Sequence, residues 1–270
     1  MARDLLTPGA PARRQLAASL RRLGLIGLAD AVAWRLGARA VASQNAAWRA
    51  GHPETPVPPD ALIFEVTGQS LISAYAHRGR LHAEAIAQVA RDHGIEAPRA
   101  VLEWGCGPGR VLSHMPDVLA GAACTGIDIN ARAIAWAQRH LAALRFARIA
   151  PEPPTDLPGG AFDLIYAISV LTHLSPERAR RWLVELRRLL APGGLAVLTT
   201  YALSTAEAEA LGDGVAVLGG ASEGARTYVA RHSDAAMRAL CAGLFTVEAH
   251  LTDGPAEVIG QAAWVLRAGG

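Results

Sequence analysis

The chain has no lysine; all 26 basic residues among its 270 are arginine. Chemistry that depends on a lysine nucleophile or Schiff base is therefore excluded. Cysteine is scarce. Cys106, Cys124 and Cys241 are too few and too widely spaced for a disulfide framework or a cysteine-rich zinc site, which points to a reducing, cytoplasmic setting. An excess of one charge is also lacking: a net charge of +2 leaves no electrostatic footprint for a nucleic acid. No run of 18 apolar residues is free of charge, so no membrane span is expected. Met1 to Ala12 has no apolar core behind a basic start, so no export signal is expected either. There is no Gly-x-Ser-x-Gly nucleophile elbow. His77, His82 and Glu84 lack the i, i+4 histidine spacing of a helical zinc pair, and no metal site is expected. No internal repeat is visible.

What is present is apolar material, 51% of the residues, enough for a large core and too much for disorder. The length suits one large α/β domain or two small ones. Residues 1–60 read as an N-terminal helical arm that ends in the proline-rich stretch from His52 to Pro59. Within it, Arg13, Arg14, Arg21, Arg22, Arg35 and Arg39 alternate with Leu20, Leu23, Leu25, Ile26, Leu28, Val32, Trp34 and Leu36. This segment could lie on an anionic membrane, pack on its own domain, or join a second subunit in a homo-oligomer. Gly24 and Gly27 interrupt the pattern and favour packing.

Residues 61–270 read as one domain. Helical spacing runs through residues 61–97, and a strand over Ala100 to Trp104 stops at Gly105. A helix is expected from Arg110 to Leu119, then strands at 122–129 and 144–149 with a helix at 131–144 between them. The strand from Phe162 to Ile168 is apolar apart from Asp163 and should be buried on both faces. Ser175 caps a helix from Pro176 to Leu190, and a fifth strand covers Leu195 to Tyr201. Late strands are expected at Phe245 to Leu251 and Ala262 to Arg267, with a helix from Ser233 to Ala242 before them. The alternation calls for an α/β fold: a Rossmann-like sheet, mostly parallel with a late antiparallel strand, and helices on both faces. No regular structure is expected from Ala150 to Ala161.

Chemistry concentrates at the end of the first parallel strand, in Glu103-Trp104-Gly105-Cys106-Gly107-Pro108-Gly109-Arg110. Glycines let a backbone approach a ligand, and a helix start beyond them offers unpaired N–H groups. Nineteen residues after Gly109, Asp128 closes the second strand. Its carboxylate can accept both hydroxyls of a ribose, and Ile129 offers an apolar surface to a nucleobase. A dinucleotide fingerprint wants glycine at the first, third and sixth positions. Here Gly105 and Gly107 fill the first two, but Arg110 stands at the sixth, and Gly109 comes one residue early.

With Glu103 as the leading acid, the loop, Asp128 and the downstream segments resemble the class I S-adenosylmethionine-dependent methyltransferases. The resemblance covers residues 98–201, and more weakly 60–97 and 226–267. It is carried by Val101 to Gly109, Gly126-Ile127-Asp128-Ile129, Phe162 to Ser169, Val170-Leu171-Thr172-His173-Leu174 and Leu189 to Gly194. The segment Ser169 to Leu174 is similar to bacterial enzymes associated with glycan or natural-product pathways. The resemblance implies S-adenosyl-L-methionine as cofactor and a small-molecule methyl acceptor. It implies that Glu103 orders the loop and helps to hold the methionine amino group. Gly105, Cys106, Gly107, Gly109 and Arg110 would line or shape the methionine end, Asp128 would take the ribose, and Ile129 would pack on adenine. The backbone near Arg148 and Ile149 would meet the adenine edge, and Ala167, Ile168 and Ser169 would lie beside the sulfonium. Phe146 to Ala150 contains no Asp or Asn for the adenine amino group, so a main-chain carbonyl or Glu152 would serve. Tyr75 is a candidate lid or an ordinary core residue. His173 is the candidate general base. Tyr166 reads as core, Tyr201 and Tyr228 as possible borders of the acceptor pocket, and His232 as a surface residue. The expected reaction is O-methylation of a sugar or secondary-metabolite hydroxyl. N- or C-methylation, a nicotinamide-dependent oxidoreductase, and a non-catalytic scaffold that binds cofactor remain as alternatives.

Overall fold

The computed structural model describes residues 11–269. The expectation about an export signal falls largely on residues 1–10 and lies outside the described residues. The arm folds as two helices, α1 (Pro11–Arg22) and α2 (Ile26–Gly51), separated at Gly24, whose φ of +68° ends the first. The region read as continuously helical from 61 to 97 is two helices, α3 (Asp60–Thr67) and α4 (Ile72–Asp92). Gly68, left-handed at φ +68°, caps α3 and turns the chain away.

Next come β1 (Ala100–Trp104), a 3-10 turn at Leu112–His114, and the four-residue α5 (Met115–Val118). The helix expected from Arg110 to Leu119 is thus mostly absent. Gly109 holds φ +81° and Pro116 sits in the first turn of α5, so a continuous ladder of helical hydrogen bonds cannot form across the segment. Then follow β2 (Ala123–Asp128), α6 (Ala131–His140), β3 (Arg145–Arg148), β4 (Phe162–Ala167), α7 (Pro176–Leu189) and β5 (Leu190–Thr200). Asn130 caps α6 by accepting the N–H of Arg132 and Ala133, and Ser175 caps α7 by accepting that of Arg178. β5 begins five residues earlier than expected. Leu190 pairs with Phe162, and the ladder resumes at Leu195 opposite Leu164 after a bulge. The remaining elements are α8 (Thr205–Leu211), β6 (Val215–Leu218), β7 (Val229–His232), α9 (Asp234–Cys241), β8 (Phe245–Leu251), α10 (Pro255–Ile259) and β9 (Ala262–Ala268). The β6–β7 hairpin, α8 and α10 were not foreseen.

Seven strands form one sheet in the order β3-β2-β1-β4-β5-β9-β8. The four pairings across β3 to β5 are parallel, while β9 runs antiparallel to both β5 and β8. Strand alternation sends Val101, Leu164, Tyr166, Leu195 and Val197 to one face, against α4, α5, α6 and α10. It sends Leu102, Ile165, Ala167, Ala196 and Leu198 to the other, against α7 and α9. Complete burial of each large aliphatic side chain contributes roughly 1.5–3 kcal/mol, so the two faces hold the strand ends rigidly. The order reverses between β1 and β4, which is the switch point where ligands bind in such sheets.

The arm is tied to this body on its inner side. Asn45 is buried and donates from Nδ2 to Asp60 (2.9 Å) and the Ser70 carbonyl (2.7 Å), while its Oδ1 accepts from Ile72 N (3.0 Å). Arg21 donates to the carbonyls of Gly219 and Thr227 in the loop between β6 and β7. Asn45→Ala leaves two buried backbone groups unpaired and should lower unfolding free energy by about 1–3 kcal/mol. Urea denaturation with an unchanged slope checks this; an unchanged midpoint would show that the arm is not held through Asn45.

Candidate functional site

The site begins with two carboxylates that hold bare backbone. After β1, Gly105, Gly107 and Gly109 take φ of +77°, +53° and +81°, conformations that a side chain disfavours. Gly105 N and Cys106 N donate to the Ile127 carbonyl at 2.8 and 3.1 Å, which lays the loop across the end of β2. Gly107 N donates to Asp128 Oδ2 and Asn130 N to Asp128 Oδ1, both at 2.7 Å. From behind, Glu103 Oε2 accepts from Leu112 N and from the Tyr166 hydroxyl, both at 2.9 Å. Burial pushes the Glu103 carboxyl up to about 8, partly offset by these bonds and by the Arg110 charge. Burial likewise raises Asp128, against the backbone donors that favour its charged form. Space is as restrictive as conformation. A Cβ on Gly105 would come 2.3 Å from Val170 Cγ2, and one on Gly107 would come 2.9 Å from Val66 Cγ2.

In front of this loop is a cleft of about 530 Å³. Its floor is Gly105, Gly107, Asp128, Ile129 and Asn130, and its far wall is Ile168, Ser169, Val170 and His173. The roof comes from Asp30 of α2 and Phe64, Glu65 and Val66 of α3, and the rim from residues 223–227. Charged pairs stitch the roof to the rim. Arg226 pairs with Asp30 and lies 4.7 Å over the Phe64 ring, while Arg178 reaches Glu152 (2.6 Å) and Glu223 (3.2 Å). Glu65 accepts from Asn130 Nδ2 (3.0 Å) and pairs with Arg132. Every guanidinium lining the cleft is therefore already matched with a carboxylate of this chain. The proline-rich loop is fixed in turn: Trp182 Nε1 donates to the Pro151 carbonyl at 3.0 Å, and Thr155 N and Oγ1 donate to Glu185 at 2.9 and 2.7 Å.

Of the residues singled out in the sequence, Gly105, Gly107, Asp128, Ile129, Ile149, Ile168, Ser169 and His173 line the cleft together. Tyr75, Glu103, Cys106, Gly109, Arg110, Arg148 and Ala167 are not among its lining residues. Tyr75 is buried beside Ile63 and Ile72, a core placement; the roof is Phe64, Glu65 and Val66 instead. Cys106 turns its sulfur toward Gly126. Arg110 is half-buried, and both terminal nitrogens donate to His82 Nδ1 at 3.2 Å. That keeps His82 neutral, its pKa lowered to about 3 by burial and by Arg110. The Arg110 carbonyl lies 2.3 Å from where a Cβ on Gly79 would stand, so Arg110 secures the loop against α4. Gly109 meets Leu141 and Phe146, Ala167 belongs to the core, and Arg148 is exposed. Glu152 is committed to Arg178 and Arg181, which leaves the main-chain alternative near Ile149. Tyr166 is core, as read. Tyr201 lies under Arg231, and Tyr228 touches the site only through its carbonyl.

The roof and rim went unseen because residues 61–97 read as one helix and 202–232 had no strong pattern. One signal was legible: Asn130, two residues after Asp128, occupies a capping position.

His173 Nδ1 lies 2.8 Å from the Tyr228 carbonyl, which can only accept, so this nitrogen carries the proton and Nε2 keeps its lone pair. Burial, with the Arg226 charge, lowers the pKa of His173 below the ordinary histidine value. Ser169 is the one non-glycine residue at positive φ (+67°) among the described residues. Its strain, about 1–3 kcal/mol, is held by Thr199 Oγ1, which accepts its N–H at 2.8 Å, and by Gln261 Nε2, 2.8 Å from its hydroxyl. Among the described residues no group of three or more His, Cys, Asp or Glu is placed to hold a metal ion.

Residues 102–196 match the model of a family described as a methyltransferase domain. The fold is that of the class I S-adenosylmethionine-dependent methyltransferases. An S-adenosylmethionine-dependent methyltransferase from Methanosarcina mazei is similar at TM-score 0.51 and 17% identity, over 67% of this chain and 95% of that one. The 1,6-didemethyltoxoflavin-N1-methyltransferase of Burkholderia thailandensis, solved with 1,6-didemethyltoxoflavin and S-adenosylhomocysteine, is similar at TM-score 0.53 and 17% identity, over 80% and 93%. In sequence, the trans-aconitate 2-methyltransferase of Methylobacterium radiotolerans is 37% identical over 118 residues, 44% of this chain. That match spans only 42% of the relative's length.

His232, read as a surface residue, is 3% exposed, and neither ring nitrogen has a hydrogen-bond partner. Burial lowers its pKa to about 4. The unfolded chain takes up this proton near 6.5, the native chain near 4, so acid favours unfolding across that window. Stability should fall as pH drops from 6.5 to 4, His232 contributing on the order of 3 kcal/mol. His232→Phe should flatten the fall in denaturant titrations at several pH values. An identical acid limb in the variant would show that His232 protonates without penalty.

Proposed function

We propose that this chain transfers a methyl group from S-adenosyl-L-methionine to a small-molecule acceptor, at a hydroxyl oxygen of a sugar or secondary metabolite. The observation that carries the reading is Asp128. Each of its oxygens accepts one backbone N–H, leaving lone pairs on a carboxylate that lines the cleft between glycine backbone and Ile129. A ribose diol fits such a carboxylate, and the bare Gly107, where a Cβ would collide with Val66, fits the close passage of a nucleoside tail. Ile129 and Ile149 would flank the base, with the main chain at Ile149 meeting its edge.

When bound, the cofactor supplies an activated methyl group on a sulfonium centre. The chain's residues then bind, orient and move a proton. The Ile168–Val170 wall, held by the Ser169 hydrogen bonds, would set the angle between donor and acceptor, and such positioning supplies much of the acceleration. His173, with Nδ1 committed to Tyr228 and a lowered pKa, is neutral near pH 7, and its Nε2 can take the proton of an acceptor hydroxyl. The matched guanidinium pairs favour a neutral acceptor over a polycarboxylate, because Arg178 and Arg226 have no unpaired charge to offer.

Calorimetry with S-adenosylhomocysteine tests the site: Asp128→Ala should lose about 1–3 kcal/mol of affinity, and NAD should not bind. Unchanged affinity in the variant would remove Asp128 from the site. With an acceptor found by mass spectrometry, His173→Gln should lower turnover by roughly 100-fold or more while cofactor affinity stays the same. Full activity of that variant would end the base assignment. Cofactor binding without turnover across a broad hydroxyl panel would favour a binding protein instead.

A further inference from the structure

The outer face of the arm is apolar, basic and unused. On its inner side α2 buries Ile26 and Asn45, pairs Asp30 with Arg226, and sets Trp34 5.4 Å from Phe64. On its outer side Leu25, Leu28, Val32 and Leu36 are 41%, 63%, 43% and 49% exposed. Leu23, in the turn before α2, is 69% exposed, and Leu16 of α1 is 45% exposed. At 100° per residue, Leu28, Val32, Leu36 and Leu25 fall within about 80° of one another, a single stripe. Arg35 and Arg39 fall on or beside the same stripe, and both are exposed, as is Arg22 before it. None of the three has an ion pair or hydrogen bond among the described residues. The first fifty residues hold eight arginines against two acids, although the whole chain carries only +2. Asp30, the only acid on α2, faces the cleft on the opposite side of the helix.

Exposed leucines interleaved with unpaired arginines match the two layers of an anionic lipid surface: acyl chains beneath, phosphates above. Arginine suits that boundary, since its stem packs on apolar groups while the guanidinium reaches phosphate. We propose that α1 and α2 form a docking surface for an anionic bilayer. A second copy of the chain fits less well. A twofold contact through this stripe would press together two copies of a face that carries Arg35 and Arg39 and no acid to pair with them. Because α2 is also a wall of the cleft through Asp30, the docked bilayer lies about one helix diameter, roughly 10 Å, from the site. The docking surface stands whether or not the cleft performs methyl transfer.

The test uses the full chain and vesicles. Co-sedimentation with vesicles of equal parts phosphatidylcholine and phosphatidylglycerol should show binding that weakens as salt rises, with little binding to phosphatidylcholine alone. Arg35→Gln and Arg39→Gln should each weaken binding about fivefold, and Leu28→Ser with Val32→Ser should weaken it further. Melting temperature and S-adenosylhomocysteine affinity should not change in these variants, since none of the four residues lines the cleft. No vesicle binding at low salt, or binding that the variants leave untouched, would overturn the proposal. So would a dimer in sedimentation equilibrium that the leucine and valine substitutions dissolve, because the stripe would then belong to a second copy.

Discussion

Backbone without side chains must be held by something else, and here two carboxylates hold it. Asp128 grips the loop from the cleft side through Gly107 N, and is itself held by Asn130 N. Glu103 grips it from the core side through Leu112 N and Tyr166. The second anchor is costly, since a carboxylate buried this deeply resists ionisation. Its two donors, with the Arg110 charge nearby, reduce that cost. The result is a loop braced by the chain's own side chains, and such preorganisation lowers the cost of binding.

The remaining layers serve that loop. Because the sheet order reverses between β1 and β4, the residues after β4 come within contact of Gly105 through Val170. α3 closes from above, with Val66 against Gly107. The β6–β7 loop closes from the side and is itself held by Arg21 and Asp30 of the arm. The arm therefore completes the cleft on its inner face and leaves its outer face free, which is why one segment can carry both a structural duty and a surface one.

The centre of the site was legible in the sequence because backbone geometry writes itself there. Glycines at 105, 107 and 109 need positive φ, Asp128 must follow a strand, and Ser175 with Pro176 marks a helix start. β1 and β4 were equally plain, since strands buried on both faces read as apolar runs. The periphery was not. Whether residues 61–97 form one helix or two turns on Gly68 alone. Hairpin strands of four residues, Val215–Leu218 and Val229–His232, carry too little alternation to stand out. Side-chain direction was the other blind spot. Arg110 and Cys106 belong to the motif yet point into the core, where His82 and Gly126 meet them. His232 sits on a short strand whose burial depends on packing outside its own segment.

A crystal structure of the chain with S-adenosylhomocysteine tests the central claim most directly. The account predicts both ribose hydroxyls on Asp128, the base against Ile129, and the Glu103 bonds to Leu112 and Tyr166 intact. A nucleoside bound elsewhere, or a glycine loop that must refold to admit it, would contradict the account.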